Sequence, residues 1–246
     1  MSTTDLITPT QLVSLLEKQD YGVEYQPIIG IDNQQIYAYE ALARFFDEKG
    51  HPIRPDIVYA SLHASPLSLY QVEYQQKILQ LANAPINIPI FVNLDQDSYF
   101  SSGVQGPNNP FLKLFTEYKC LDIVVELIEN SEINDAVMSL SMIDSLSKTG
   151  IKTAIDDVFN PQSMISTSVI QLVNFIKLDK HVVANKEHKD FLVLVECLID
   201  YAHKAGKKVI LEGIENDDDL LFARQLNVDL VQGFLYREQF INFRKA

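Results

Sequence analysis

FIKLDKHVVANKEHKDFLVLVECLIDYAHKAGKKVILE, residues 175–212, holds a complete strand–helix–strand unit. The run Phe175 to Leu178 is short, apolar and β-rich. Phe191, Leu194, Val195, Leu198 and Ala202 then recur at helical spacing, with Lys204 in the last turn and Gly206 beyond it to stop the helix. Lys208 to Leu211 returns to β character. Strands joined through a helix of this length lie parallel in one sheet.

The same alternation extends outward in both directions. β-rich runs are predicted at Val23 to Ile31, Gln35 to Leu42, Ile88 to Leu94, Ile123 to Leu127, Lys152 to Ile155 and Val228 to Val231, which with the two above makes the eight of a closed barrel. Ser131 is placed to cap a helix whose Ile133, Ala136, Val137, Leu140 and Ile143 share a face, and Gly150 can end it. At the start, Thr8 can cap a helix with Pro9 in its first position and Leu12, Leu15 and Leu16 at helical spacing. Only Asp32, Asn33 and Gln34 separate the first two runs, too few for a crossover, so these two strands are expected to form a hairpin. The fold class is therefore α/β, a modified TIM (β/α)8 barrel with an antiparallel first strand. Gln96 to Asn109, rich in Ser, Gly, Asn and Gln, reads as a loop.

Bulk properties narrow the function classes. With 246 residues and 47% hydrophobic content the chain can bury one sizeable core. No apolar run reaches the ~20 residues of a membrane helix, the polar, acidic start is unlike a signal peptide, and the expected location is the cytoplasm. A formal charge of −13 argues against polymeric nucleic acid, since phosphate contacts need clustered Lys and Arg. Cys120 and Cys197 match no metal spacing and are expected to be buried free thiols. The five histidines show no metal spacing either, and Asp217 to Asp219 reads as favourable charge at a helix start.

Chemistry collects where the runs end. Glu40 closes IYAYE, Asn93 closes IFVN, Glu126 closes IVVE, Asp156 and Asp157 close TAIDD, Lys177 lies in FIKLD, Glu212 closes VILE and Gln232 follows DLV. In a parallel barrel these ends share one mouth, where barrel enzymes place their reacting groups. Carboxylates gathered there repel one another unless cations neutralise them. Oxygen donors without Cys or His suit Mg²⁺ or Mn²⁺, and two such ions about 3.5 to 4 Å apart could hold a phosphodiester and activate water. Adjacent aspartates are a natural bridge between them.

These segments resemble the EAL family of cyclic di-GMP phosphodiesterases. YEALAR at 39–44 carries Glu-Ala-Leu, and YQPI, FVNL, ELIE, IDD, IKLD, LEGIE and QGFL follow in the family's order and spacing. The resemblance implies hydrolysis of cyclic di-GMP to linear pGpG with two ions of Mg²⁺ or Mn²⁺. It implies that Glu40, Asn93, Glu126 and Asp156 hold one ion and that Asp156, Asp157 and Glu212 serve the other. Lys177 would contact the attacking water or the phosphate, and Glu40 and Glu212 count with it as catalytic. Gln232 would hold the water network, Arg44 the phosphate, and Gln26 and Leu42 the nucleotide. Glu129 and Glu215 would support the surrounding loops. Residues 1–246 would form one such domain, with residues 1–20 as an N-terminal helix on the barrel, and a homodimer is implied by the resemblance alone.

Two segments depart from the family. After the aspartate pair, Phe-Gly-Thr-Gly-Tyr-Ser-Ser is replaced by Val158 to Met164, so both loop glycines are lost and the loop is expected to take a different path. Restoring glycine at Phe159 and Pro161 is expected to raise activity if this loop is limiting. Near the end, Arg237, Glu238 and Gln239 stand where Gly-Arg-Pro is usual. The alternative reading is a catalytically weak or inactive domain that acts as a cyclic di-GMP receptor or protein-interaction module.

Overall fold

The three polar residues after the first long run decide the start of the fold. Gly30 donates its N–H to the Gln35 carbonyl at 2.9 Å, the Asn33 side chain accepts from Gln35 N at 3.0 Å, and Gln34 takes a left-handed φ of 54°. This tight turn pairs β1 (Tyr21–Gly30) antiparallel with β2 (Ile36–Phe46). The protein is a computed structural model that describes residues 7–104, 106–128 and 133–245.

The remaining strands are β3 (Pro52–Ile53), β4 (Ile90–Asn93), β5 (Ile123–Ile128), β6 (Lys152–Val158), β7 (Phe175–Leu178), β8 (Lys208–Leu211), β9 (Leu230–Val231) and β10 (Ile241–Arg244). Their order is β10-β1-β9-β8-β7-β6-β5-β4-β2-β3, and the added β1–β2 pairing closes eight of them into a ring, with β3 and β10 as outriggers. All pairs from β2–β4 round to β8–β9 are parallel, while β1 is antiparallel to both its neighbours in the ring. The architecture is thus the α/β barrel with an antiparallel first strand that the hairpin and helix spacing indicate.

Strand periodicity sorts the side chains into two cores. Outward residues such as Val92, Val125, Ile176 and Val209 pack with helix residues such as Phe115, Leu146 and Ile199 in one large cluster. Inward residues form a separate plug of Ile28, Ala38, Phe91, Val124, Ala154, Phe175, Ile210 and Leu230, at most 4% exposed. The plug closes the barrel's lower half. A third cluster seats the helix Pro9–Lys18 through Leu15 against Tyr21, Phe45 and Leu62. Thr8 caps that helix, and Gln11 returns the bond to Thr8 N.

Several local readings need correction. Gln96–Ser101 is a helix, because Asp95 accepts from Ser98 N at 2.9 Å as an N-cap and Ser98 and Tyr99 are buried. Cys120 and Cys197 are free but exposed. Cys197 is two residues past buried Val195, about 200° round the helix and so on its solvent face. Leu194 and Val137 are likewise exposed, Val137 on the side of its helix opposite the buried Ser139 and Leu146. Ser131, the expected cap, lies outside the described residues. Asn216 caps Asp217–Gln225, whose first turn carries the three aspartates.

His63 ties two helices together, and this gives a pH-dependent prediction. Its Nε2 meets Asp95 Oδ2 at 3.0 Å and its Nδ1 the Tyr59 carbonyl at 2.7 Å. The hydrogen bond to Asp95, outweighing burial, pushes the imidazole from 6.5 up to about 9. A histidine raised by folding stabilises fully below its unfolded value and loses that contribution as pH climbs through the folded value. Thermal melts should therefore fall between pH 6.5 and about 9, and His63→Ala should flatten that decline. An unchanged slope in the variant would show that the pair contributes nothing.

Candidate active site at the carboxyl end of the barrel

One step of two residues along each strand converts the plug into the site. Ala38 leads to Glu40, Phe91 to Asn93, Val124 to Glu126 and Ala154 to Asp156. Phe175 leads to Lys177, Ile210 to Glu212 and Leu230 to Gln232, and on the antiparallel strand Ile28 leads back to Gln26. Alternate residues point to the same side of a strand, so an apolar layer across the ring must be followed by this polar one. Neither Glu40 nor Asp156 ends its strand: β2 runs on to Phe46, and β6 continues through both aspartates to Val158, with a register irregularity after Ile155. Parity along the strand, rather than strand ends, brings the groups together.

The layer is held by charge. Lys177, 0% exposed, places Nζ 2.8 Å from both Glu126 and Glu212, 3.0 Å from Asp156 and 3.4 Å from Glu40. Glu40 also accepts from Asn93 Nδ2 at 3.0 Å and from Gln232 Nε2 at 2.6 Å. One cation does not balance these acids. Burial, reinforced by Glu40 and Asp156, drives the Glu126 carboxyl well above its ordinary value in spite of Lys177. Burial and the neighbouring acids likewise push Glu212 up to about 8 and Asp157 to about 7. Glu40 is the exception, for burial is outweighed there by Lys177 and the two amide donors, leaving its carboxyl below the usual range. Lys177 itself resists burial through its four carboxylates and stays well above its normal value.

The residues fit a pair of divalent cations. One oxygen each from Glu40, Glu126 and Asp156 lie within 4.8 Å of one another, and the same holds for Asp156, Asp157 and Glu212, so Asp156 is common to both groups. Both Glu126 oxygens and Asp156 Oδ1 are buried without an aligned hydrogen-bond donor. The five carboxylates less Lys177 carry a formal −4, which two doubly charged cations would cancel. His63, Asp95 and Asp97 also stand within 4.8 Å, but there His63 already pairs with Asp95 at 3.0 Å, and both His63 and Asp97 are exposed.

The loop after the aspartates holds glycine-like backbone angles without a glycine. Asp157 and Phe159 both take left-handed angles, φ 57° and 72°, so a phenylalanine occupies a conformation that favours glycine. It is retained by packing: Phe159 is 8% exposed and its ring meets Phe191 edge-on at 5.5 Å. Phe159→Gly would recover roughly 1–2 kcal/mol of backbone strain and lose about 3–5 kcal/mol of buried aromatic packing. The variant is therefore expected to be less stable by about 2 kcal/mol in urea unfolding. A stabilised variant would show that strain outweighs packing.

The nucleotide-side residues divide. Gln26, Leu42 and Glu215 line a cavity of about 310 Å³ with Glu40, Asp156 and Glu212. Arg44 does not: it pairs with Glu24, which also accepts from Gln26 Nε2 at 2.9 Å, and it lines a neighbouring cavity with Asn93 and Tyr59. Glu215 donates its backbone N–H to Asp219 at 3.2 Å. Glu129 lies outside the described residues. Sequence reasoning missed Glu24, whose signal was its alternation with Gln26 on β1. It also missed Asp179, whose charge adds to the upward push on Asp157. A further cavity of about 330 Å³ beneath Pro9–Lys18 is walled by exposed pairs such as Lys18–Glu48 and has no comparable cluster of buried acids.

Comparison with known proteins places this geometry. The family model described as EAL domain matches residues 10–239. The probable cyclic di-GMP phosphodiesterase PdeB of Escherichia coli K12 is 26% identical over 232 residues, covering 92% of this chain and 44% of the relative. The cyclic di-GMP phosphodiesterase PdeL of the same organism is 24% identical over 245 residues, covering 94% of this chain and 66% of PdeL. This chain thus spans between about two fifths and two thirds of these relatives' length. Among solved structures, the Bacillus subtilis YkuI protein, with an EAL domain and in complex with substrate cyclic di-GMP and calcium, superposes with TM-score 0.73 at 20% identity, covering 98% of this chain and 60% of that one.

Proposed function

The chain belongs to the EAL domain family, and we propose that it hydrolyses cyclic di-GMP to linear pGpG with the help of two divalent cations, Mg²⁺ or Mn²⁺. The observation that carries this reading is the buried acid layer with Asp156 common to two ligand groups. Two relatives named as cyclic di-GMP phosphodiesterases, one of them as probable, support the substrate.

Glu40, Asn93, Glu126 and Asp156 would hold one cation, and Asp156, Asp157 and Glu212 the other. When bound, the ions polarise the phosphodiester and acidify a water. The chain's own groups supply the rest. Lys177, fixed by four carboxylates, directs an ammonium at the phosphate or the attacking water, and Gln232 orients the network through its bond to Glu40. The cavity beside Glu212 is where the dinucleotide would sit, with Gln26, Leu42 and Glu215 on its walls and Arg44 held nearby by Glu24.

A second reading, a receptor that binds without hydrolysis, is favoured by the altered loop from Val158 to Met164, which carries Asp157 in a left-handed conformation. One assay separates the two. The purified chain is incubated with cyclic di-GMP and Mn²⁺ or Mg²⁺, pGpG is followed by chromatography, and binding in Ca²⁺ is measured alongside. Product that disappears in Glu40→Ala supports the enzyme. Binding without product supports the receptor, and neither binding nor product overturns both.

A further inference from the structure

Phe234 is the most exposed phenylalanine among the described residues, at 58%, yet it belongs to the wall of the acid cavity. Leaving an aromatic face in water is unfavourable, and nothing in the hydrolytic layer uses it. The backbone that carries the ring is tied down. Ile214 N donates to the Gln232 carbonyl at 3.1 Å and Leu235 N to the Ile214 carbonyl at 3.0 Å, so the turn that carries Phe234 is bonded on both sides to one segment. Gly233 lets that turn approach, for a Cβ there would fall 2.1 Å from the Ile214 carbonyl oxygen. Phe240 flanks the ring at 6.1 Å, and the Arg237 guanidinium lies over it at 5.8 Å. Arg237 covers the ring without itself lining the cavity. Arg237 is one of the residues that depart from the family pattern, and this contact gives it a role.

We propose that Phe234, backed by Arg237, is a stacking platform for one purine base of the cyclic dinucleotide. The proposal rests on the substrate reading above. The rest of the cavity wall is largely polar and acidic and suits the ions and phosphate, whereas a base needs a flat apolar face. Phe234 supplies one beside that polar wall. Stacking is tolerant of base identity, so this residue contributes affinity and placement, and guanine is selected elsewhere.

The chain contains no tryptophan, which makes Phe234→Trp a reporter without background. Cyclic di-GMP is titrated in Ca²⁺ into the wild type, Phe234→Trp, Phe234→Ala and Arg237→Ala, with calorimetric binding and circular dichroism on each. Phe234→Trp should bind as tightly as the wild type, and its emission should change as the base stacks. Phe234→Ala should bind about tenfold to a hundredfold more weakly, with the loss in turnover falling on KM rather than kcat. Arg237→Ala should weaken binding several-fold. A wild type that binds while Phe234→Ala binds equally well, or a Phe234→Trp emission that ignores the nucleotide, overturns the platform alone. A wild type that binds no cyclic di-GMP overturns the substrate reading and the platform with it.

Discussion

Lys177→Met is expected to be the most damaging single substitution in the barrel. The side chain is fully buried, and its ammonium stands within 3.4 Å of four carboxylates. Removing one partner of a buried ion pair generally costs about 3–5 kcal/mol, because the remaining charge is left without compensation. Four acids lose their partner here. The metal-free variant should melt about 10 °C below the wild type, since each kcal/mol shifts a chain of this size by roughly 2–4 °C. Mn²⁺ should restore much of that loss by neutralising the same acids, while hydrolysis stays at least about a hundredfold down for want of the ammonium. A metal-free variant that melts with the wild type would contradict the picture of Lys177 as the counter-charge of the layer.

Glu212→Gln should act in opposite directions on stability and activity. The folded carboxyl is pushed from 4.5 up to about 8, chiefly by burial and then by Asp156 and Glu40 against the pull of Lys177. An acid raised by folding makes the native state less stable as pH rises from 4.5 to about 8, because ionisation is easier in the unfolded chain. Glutamine removes that penalty. The metal-free variant should therefore melt above the wild type at pH 8, with the gap closing toward pH 4.5. Hydrolysis should fall on the order of a thousandfold, the several kcal/mol that loss of a cation ligand takes from the transition state. This is a stability cost retained for function, and melting curves with pGpG assays read both sides of it. A variant that is both less stable and fully active would refute the assignment.

The barrel was legible because each β/α unit carries its own punctuation. Pro9 and Thr8 mark one helix start, Gly206 marks a stop, and three polar residues force the first hairpin. The acid layer was legible too, since Glu40, Glu126, Asp156 and Glu212 each follow an apolar run. What failed was local geometry that depends on neighbours in space. The helix Gln96–Ser101 looks like a loop by composition and is made a helix by the Asp95 cap and the burial of Tyr99. Phe159 looks incompatible with a glycine-like angle until its contact with Phe191 is seen. The bond of Arg44 to Glu24 crosses between strands, and only their antiparallel pairing aligns the two side chains. Arithmetic on the helix face would have placed Cys197 outside without any structure.

The most direct test of the account is anomalous scattering from crystals grown with Mn²⁺. Two manganese peaks are expected in the barrel mouth, one bounded by Glu40, Asn93, Glu126 and Asp156 and the other by Asp156, Asp157 and Glu212. A mouth that stays free of manganese at saturating concentration, with Lys177 alone among its acids, would contradict it.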